Sequence, residues 1–275
     1  MGNDTWQAAD TEILRVIVGS TLHGLKLEGQ DDRDEMGITI EPAEYVIGLK
    51  HFEQDVYRSA VERMEPQDLM ENKDPRSGPG DTDRTIYSLR KWAKLAAQGN
   101  PTVLLPLFAP RAMILKGDAS AAYLRHSRGI FLSRDAGWRF RGYLNQQREK
   151  LLGQRSGAPK RPELIERYGY DTKFAMHMIR LAYQGIELME TGRITLPMPS
   201  VQREVCMAVR QGKVPEDGAL FTVGELEKDL VAAIENSELP ERPDYDAINK
   251  LLMTLYQDSW DRRKRFGEPH IDHLS

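Results

Sequence analysis

The chain has 275 residues, of which 40% are hydrophobic and 29% are charged, and its formal net charge at pH 7 is −4. This length suffices for one large domain or two small ones with a packed core, and aromatic residues spread along the sequence exclude general disorder. The single cysteine, Cys206, excludes an internal disulfide, and no apolar run is long enough to cross a membrane. We therefore expect a soluble cytoplasmic protein.

The first half of the sequence predicts strands separated by loops. The apolar, β-branched run at 13–18 is typical of a buried strand, and glycines punctuate the turn that follows it, at 19–24. Residues 36–40 predict a second strand, which 45–49 extend or pair with. A third strand is expected at 83–89, after a polar loop at 66–82 that is rich in Pro and Gly.

Helical patterns dominate after the third strand. Residues 89–98 predict a helix that ends at Gly99, and 102–150 are expected to be helical with short breaks. An exposed linker is predicted at 153–162. Further helices are expected at 171–191, 200–211, 223–236 and 245–260. The division that follows is a core with a helical extension over 1–152, a helical domain over 163–260 and a loose tail over 261–275.

The modest net charge hides a basic block. Residues 125–167 contain 11 Lys or Arg and four acidic residues, a local balance of +7, so the rest of the chain carries −11. Such a block is typical of a surface that binds phosphate or nucleic acid. An arginine-rich, solvent-exposed face explains the composition equally well. Within the block, Arg128, Arg134, Arg139 and Arg141 are the candidates for contacting the phosphates of an acceptor.

Three aspartates are candidates for a metal site. Asp32 and Asp34 stand two positions apart at the start of a predicted strand, so both carboxylates lie on one face and suit hard divalent cations. Asp83 opens another predicted strand and could complete a two-metal site of the kind that supports in-line phosphoryl displacement. Each aspartate alone is more typical of a solvated turn or a strand edge, so the prediction depends on the combination.

A Gly-Ser pair precedes the acidic pair. Gly19 and Ser20 follow the first predicted strand, where backbone N–H groups and a hydroxyl can hold phosphate oxygens. An alternative is a P-loop, since Gly19 and Gly24 have its glycine spacing after a strand. That motif next requires Lys and then Ser or Thr, whereas the chain has Leu25 and Lys26.

With these motifs the chain resembles the DNA polymerase β superfamily of nucleotidyltransferases. Members of that superfamily carry Gly-Ser, a short spacer, Asp-x-Asp and a third Asp on a later strand. Here Gly19-Ser20 is followed by an 11-residue spacer, one longer than usual, and by Asp32-Arg33-Asp34, with Asp31 where Ser is usual. The finer pattern is similar to a branch of predicted nucleotidyltransferases that includes an RNA-repair-associated polymerase-β-like family. Gly24-Leu25, Ile86 to Trp92 and Gly99-Asn100-Pro101 also follow that branch.

The resemblance implies a fold and an activity. The expected fold is α+β, with a small mixed sheet flanked by helices and a mainly helical C-terminal region. The expected reaction is transfer of a nucleoside monophosphate from an NTP, such as ATP, to a hydroxyl acceptor, with an RNA 3′ end favoured and pyrophosphate released. Asp32, Asp34 and Asp83 would hold two Mg²⁺ ions, or Mn²⁺, and RNA would contact residues 125–167. A catalytically silent fold that binds nucleic acid is the alternative.

The helix predicted at 171–191 carries a narrow polar stripe. Lys173, His177, Arg180 and Gln184 fall on one face of a helix that is otherwise apolar and therefore mostly buried. An anionic triphosphate or a nucleic acid backbone would satisfy this stripe, but a stripe facing solvent is also possible. The resemblance favours the first interpretation, because similar family members carry Lys-x-x-x-His-x-x-Arg here. It implies nucleotide binding by Gly19, Ser20, Lys173, His177 and Arg180.

Other candidates have structural interpretations. His23 is expected to be a structural residue of the Gly-Ser turn, and Cys206 a core residue with no nearby histidine in sequence. Asn100 precedes proline, which is more typical of a turn than of a substrate contact. His270 and His273 lie in the predicted tail without enough neighbours for a zinc site.

Overall fold

The computed structural model describes residues 6–27, 29, 32–65, 67, 78, 80–155 and 161–266. Within them, five strands form one sheet: β1 Glu12–Ile17, β2 Arg33–Thr39, β3 Gln54–Arg58, β4 Thr82–Ser88 and β5 Ile114–Gly117. The strand order is β3-β4-β2-β1-β5. Strands β2 and β4 are parallel and the other neighbours are antiparallel, so the sheet is mixed.

Helices lie between the strands and make up the C-terminal region. The helices are α1 Gly19–His23, α2 Ala43–Val46, α3 Leu89–Ala97, α4 Leu105–Phe108, α5 Ala119–His126, α6 Arg134–Leu151, α7 Pro162–Tyr168, α8 Thr172–Thr191, α9 Ser200–Arg210, α10 Glu216–Asn236 and α11 Tyr245–Phe266. Short 3₁₀ segments occur at Ser59–Arg63, Arg111–Met113 and Ser127–Phe131. The architecture is the expected α+β class. Within the ranges described, no helix combines the length and apolarity that a membrane crossing requires.

Helix α8 is the centre of the C-terminal region and packs against α6, α9 and α10. It begins where the Asp171 side chain accepts hydrogen bonds from the backbone N–H groups of Lys173 and Phe174. At Gly185, a Cβ atom would lie 2.8 Å from Leu230 and 3.1 Å from Phe140, so glycine lets the three helices approach closely. One cluster of buried apolar side chains continues from the sheet into these helices, which fixes α8 relative to the sheet.

Several elements agree with the sequence predictions, and others differ for identifiable reasons. The first and third predicted strands, the helix ending at Gly99 and the four C-terminal helices are present. Residues 45–49 do not extend a strand, because Pro42 starts helix α2 at Ala43. Strand β5 interrupts the region predicted as helical. Strand β3 was not predicted, because its residues are mostly polar and exposed at the sheet edge.

Some observed helix boundaries also differ from the predicted ones. Helix α10 begins at Glu216 rather than 223, since Gly218 and Gly224 weaken the helical pattern of its first half. Helix α11 continues to Phe266, so the first six residues of the predicted loose tail are helical. Most of the polar loop at 66–82, the middle of the linker at 156–160 and the tail from 267, with its two histidines, lie outside the described residues. The division into two domains stays a prediction.

Candidate active site

The end of β1 places Gly19 directly against Asp34. The backbone N–H of Val18 donates to the carbonyl oxygen of Asp34 at 2.8 Å, which ties the start of α1 to β2. Gly19 has a φ of +64°, and a Cβ atom on it would lie only 1.9 Å from Asp34 Oδ2. A side chain here would be strained and would collide with the carboxylate. The predicted turn is thus a one-turn helix that needs glycine at its first residue.

The three predicted aspartates lie close together where the neighbouring strands β2 and β4 begin. Asp32 directly precedes β2, Asp34 lies within it, and Asp83 is the partner of Asp34 in the parallel register with β4. Paired residues of neighbouring strands project to the same face. Burial raises the pKa of Asp34, and the carboxylates of Asp32 and Asp83 raise it further. The three carboxylates therefore interact with one another, and their role as metal ligands stays a prediction.

A cleft of about 210 Å³ joins the acidic pair to α8. The residues lining it are Gly19, Ser20, His23, Leu25, Asp32, Asp34, Thr102, Leu105, Lys173, Met176, His177, Arg180 and Arg210. Every residue predicted for nucleotide binding is therefore in one place, although Gly19 and Ser20 stand about 150 positions before Lys173 in the sequence. Of the predicted site residues, Asp83 does not line this cleft.

Three cations, Lys173, Arg180 and Arg210, form part of the wall of the cleft, which also contains the acidic pair. Burial lowers the pKa of Lys173, with further lowering by the charges of Arg161 and Arg210, and burial lowers the pKa of Arg180 to about 10. Lys173, Arg180 and Arg210 form no ion pair with any described carboxylate. Lys173, His177 and Arg180 of the stripe line the cleft, and none of the four stripe residues is exposed, so the stripe does not lie on an open surface. A partly buried group of cations needs an anion.

His23 holds Arg180 in position within this wall. Arg180 Nη1 hydrogen-bonds His23 Nε2, and the side-chain amide of Gln184 lies 3.1 Å from His23 Nδ1. Because arginine can only donate, His23 Nε2 is the acceptor in the contact with Arg180. Burial, with Arg180 next, holds the pKa of His23 well below its ordinary value, so the ring is neutral. His23 is structural, as predicted, and it also lines the cleft.

Replacement of His23 tests this positioning role. In His23→Leu the guanidinium of Arg180 loses its acceptor, at a cost of about 1–3 kcal/mol, so we expect nucleotide affinity to fall roughly tenfold. His23→Gln keeps an acceptor oxygen and should recover most of that affinity. Calorimetric titration with ATP, alongside thermal unfolding, measures both. Equal affinities in the Leu and Gln variants would contradict the role.

The acidic cluster fits a divalent cation by its chemistry. Carboxylate oxygens are the ligands that Mg²⁺ prefers, and a cation would stabilise the ionised Asp34 against the burial and the repulsion that raise its pKa. Within the described part of the chain, however, no three His, Cys, Asp or Glu side chains are arranged as a complete metal site. Asp32 and Asp34 line the cleft, so these two are the side chains that would hold the ion there. Asp83 as third ligand stays a prediction.

The remaining candidates have structural roles in the fold. Cys206 is fully buried, and burial raises its pKa to about 12, which confirms that it is a core residue rather than a nucleophile. Asn100 Oδ1 accepts hydrogen bonds from the backbone N–H groups of Thr102 and Val103, so it stabilises a turn. Arg141, from the predicted acceptor surface, is paired with Glu227 at 2.8 Å.

Arg210 is the charged residue of the cleft that the sequence patterns do not indicate. It is buried, with 7% of its surface exposed, and it stands at the end of α9, far along the chain from the other cleft residues. No motif or spacing connects it with them. Arg161, whose charge also acts on Lys173, is one of many cations of the basic block, and nothing in the sequence distinguishes it from the others. Only the packing of α9 against α8 could have revealed Arg210.

A comparison with models of protein families identifies the family to which the chain is related. The model of the family described as RNA repair pathway DNA polymerase beta family, abbreviated RlaP, matches residues 6–254. The chain belongs to this family. The RlaP match confirms the resemblance inferred from the Gly-Ser and Asp-x-Asp motifs, and it covers both the sheet and most of the helical region. Membership of a polymerase-β-like family supports nucleotidyl transfer as the general class of reaction.

Other comparisons add little to the RlaP assignment. No curated protein is significantly similar to the chain. A crystal structure of a nucleotidyltransferase-like protein from Exiguobacterium sibiricum 255-15 aligns with 92% of this chain and 70% of its own. The two are 11% identical with a TM-score of 0.29, so their similarity is slight.

Proposed function

We propose that this protein is a Mg²⁺-dependent nucleotidyltransferase that moves a nucleoside monophosphate from an NTP to a hydroxyl group, with an RNA 3′ end as the favoured acceptor. One observation carries the proposal: carboxylates that suit divalent cations and unpaired cations that suit phosphates line the same cleft. The words RNA repair pathway in the description of the family support RNA as the acceptor. A silent fold would have no need to keep both groups together.

The acidic residues would hold the metal. Asp32 and Asp34 would bind two Mg²⁺ ions, or Mn²⁺, with Asp83 as the third ligand. Bound there, the ions would neutralise charge on the phosphates and on the attacking and leaving oxygens. Asp83 would also orient the acceptor hydroxyl and take up its proton.

The other cleft residues would hold the triphosphate. Gly19 and Ser20 would bind the β- and γ-phosphates, and Lys173 and Arg180 would neutralise charge that develops as the bond to the leaving group breaks. His177 is kept neutral, because burial and then the charges of Arg180 and Lys173 lower its pKa well below the ordinary value. It would bind a phosphate by a neutral hydrogen bond.

The proposed reaction is a displacement at the α-phosphorus of the NTP. The acceptor hydroxyl oxygen forms a bond to the α-phosphorus, and the bond between that phosphorus and the bridging oxygen to the β-phosphate breaks. Pyrophosphate leaves with the electron pair, and the hydroxyl proton passes to Asp83.

The basic block at 125–167 would hold the RNA, since phosphate contacts position a nucleic acid without reading its sequence.

The direct test supplies each α-labelled NTP with Mg²⁺ and a pool of short RNAs that end in a 3′ hydroxyl. We expect label in RNA, dependent on Mg²⁺ and absent in the double variant Asp32→Ala/Asp34→Ala. Label on the protein would contradict RNA as the acceptor. Tight NTP binding without transfer would favour the alternative of a silent, nucleic-acid-binding fold, and absence of NTP binding would contradict the proposal as a whole.

Lys173 provides a separate test of the nucleotide site. Lys173→Ala removes a partly buried charge-assisted contact to a phosphate, worth about 1.5–3 kcal/mol, so ATP affinity should fall roughly tenfold to hundredfold. Mg²⁺ affinity should change less. Calorimetry measures both, and Lys228→Ala, which removes an exposed lysine paired with Glu225, is the control. Unchanged ATP affinity would remove Lys173 from the site.

A further inference from the structure

The first turn of α8 gathers two arginines from other parts of the chain. Arg161, just before α7, forms an ion pair with Asp171 at 2.9 Å. Arg210, at the end of α9, donates from Nη1 to the hydroxyl of Thr172 at 3.2 Å, and that hydroxyl donates to the carbonyl oxygen of Arg210 at 3.1 Å. Both arginines are thus anchored on consecutive residues at the start of one helix.

A lysine of the basic block reaches the same place. The Arg161 guanidinium lies 4.8 Å from the centre of the Phe174 ring, and Lys150 Nζ, at the end of α6, lies 5.9 Å from it. Phe174 follows Lys173, which lines the cleft. The basic block at 125–167 therefore meets the cleft at this point.

Bringing these cations together is costly without an anion. Burial lowers the pKa of Arg210, and the charge of Arg161 lowers it further. Asp171 pairs with Arg161, whereas Arg210 forms no ion pair with a described carboxylate although it lines the cleft. A bound phosphate would relieve the repulsion and fill the remaining donor positions of Arg210.

The charge environment distinguishes this place from the predicted metal site. The charge of Lys173 interacts both with Asp32 and Asp34 and with the two arginines. The charges that act on Arg210 instead come from residues around the start of α8 and on α7. Asp32 and Asp34 are not among the charges that act on Arg210, and Arg210 is not among those that act on Asp34. We therefore expect a phosphate bound by Arg210 to differ from the metal-bound phosphates of the NTP.

We propose that Lys150, Arg161 and Arg210 form a subsite for a backbone phosphate of the RNA acceptor strand, by which the strand enters the cleft. This inference rests on the proposed function and locates the acceptor within the broad block at 125–167. Arg141 and Arg148 of that block are instead paired with Glu227. The subsite contacts backbone phosphate, so binding should depend on salt and not on base sequence.

The test measures binding of a short single-stranded RNA at several salt concentrations, without NTP, by fluorescence anisotropy. Lys150→Gln and Arg161→Gln should each weaken binding about threefold to tenfold at low salt and reduce the slope of log affinity against log salt by about 0.7. Arg210→Gln should have the largest effect and Arg210→Lys a smaller one. ATP affinity without RNA should be unchanged in the Lys150→Gln variant. Arg193→Gln, an exposed arginine beyond the other end of α8, should alter neither property.

The outcomes separate this inference from the proposed function. Unchanged RNA affinity in the Lys150 and Arg161 variants would overturn the subsite, even if Arg210→Gln fails to fold. Loss of ATP affinity in Lys150→Gln would overturn it also, because that cation would then belong to the nucleotide site. RNA binding that depends on these cations without any nucleotide transfer would support the subsite and contradict the proposed function.

Discussion

Replacement of Asp34 by asparagine is expected to reduce nucleotidyl transfer by roughly 10³-fold or more. The substitution keeps the shape of the side chain but removes the charge that would bind the metal, which supplies several kcal/mol of transition-state stabilisation. About 1.4 kcal/mol corresponds to a tenfold change in rate. Asp32→Asn should have an effect of the same order. Single-turnover transfer of labelled NTP to RNA is the measurement.

The variants should lose activity without losing the fold. Folding raises the pKa of Asp34, so the ionised carboxylate opposes folding above that pKa, and the neutral amide should leave thermal stability at pH 7 unchanged or higher without Mg²⁺. Asp55→Asn, on the exposed edge strand β3, is the matched control and should retain full activity. Full transfer activity in Asp34→Asn would eliminate the two-metal assignment.

Gly19→Ala is expected to reduce transfer by about 10²-fold although the change adds one methyl group. The new Cβ would fall 1.9 Å from Asp34 Oδ2, so the carboxylate must move. Displacement of a reacting group by about 1 Å can cost about 10²-fold in rate. The positive φ adds a strain of about 1–2 kcal/mol, which should lower the melting temperature.

Gly153 provides a control that distinguishes the effect of backbone strain from the effect of displacing the Asp34 carboxylate. Gly153 has a φ of +68°, and a Cβ atom on it would meet nothing within 4 Å. Gly153→Ala should therefore show a similar loss of stability with normal transfer. Comparable activity in the two alanine variants would show that the contact between Gly19 and Asp34 does not matter for catalysis.

Local patterns were sufficient to predict much of the framework. The apolar run of β1 and the glycine after α3 indicated their elements because burial and helix termination leave clear local signals. Strand β3 was missed because polar residues at a sheet edge do not show the alternation of a half-buried strand. Strand β5 was missed because it contributes one short edge to a sheet whose other strands are distant in sequence.

The candidate site shows the same difference between features with local sequence signals and features that depend on long-range packing. The acidic pair, the Gly-Ser turn and the polar stripe of α8 are predictable from the amino-acid sequence alone, because each follows from short-range spacing on one element. Three further features became visible in the folded chain alone: the stripe shares a cleft with the acidic pair, His23 holds Arg180, and Arg210 lines the same cleft. These relations depend on the packing of α8 against α6, α9 and α10, which joins residues far apart along the chain. Spacing on a single helix or strand carries no information about such contacts.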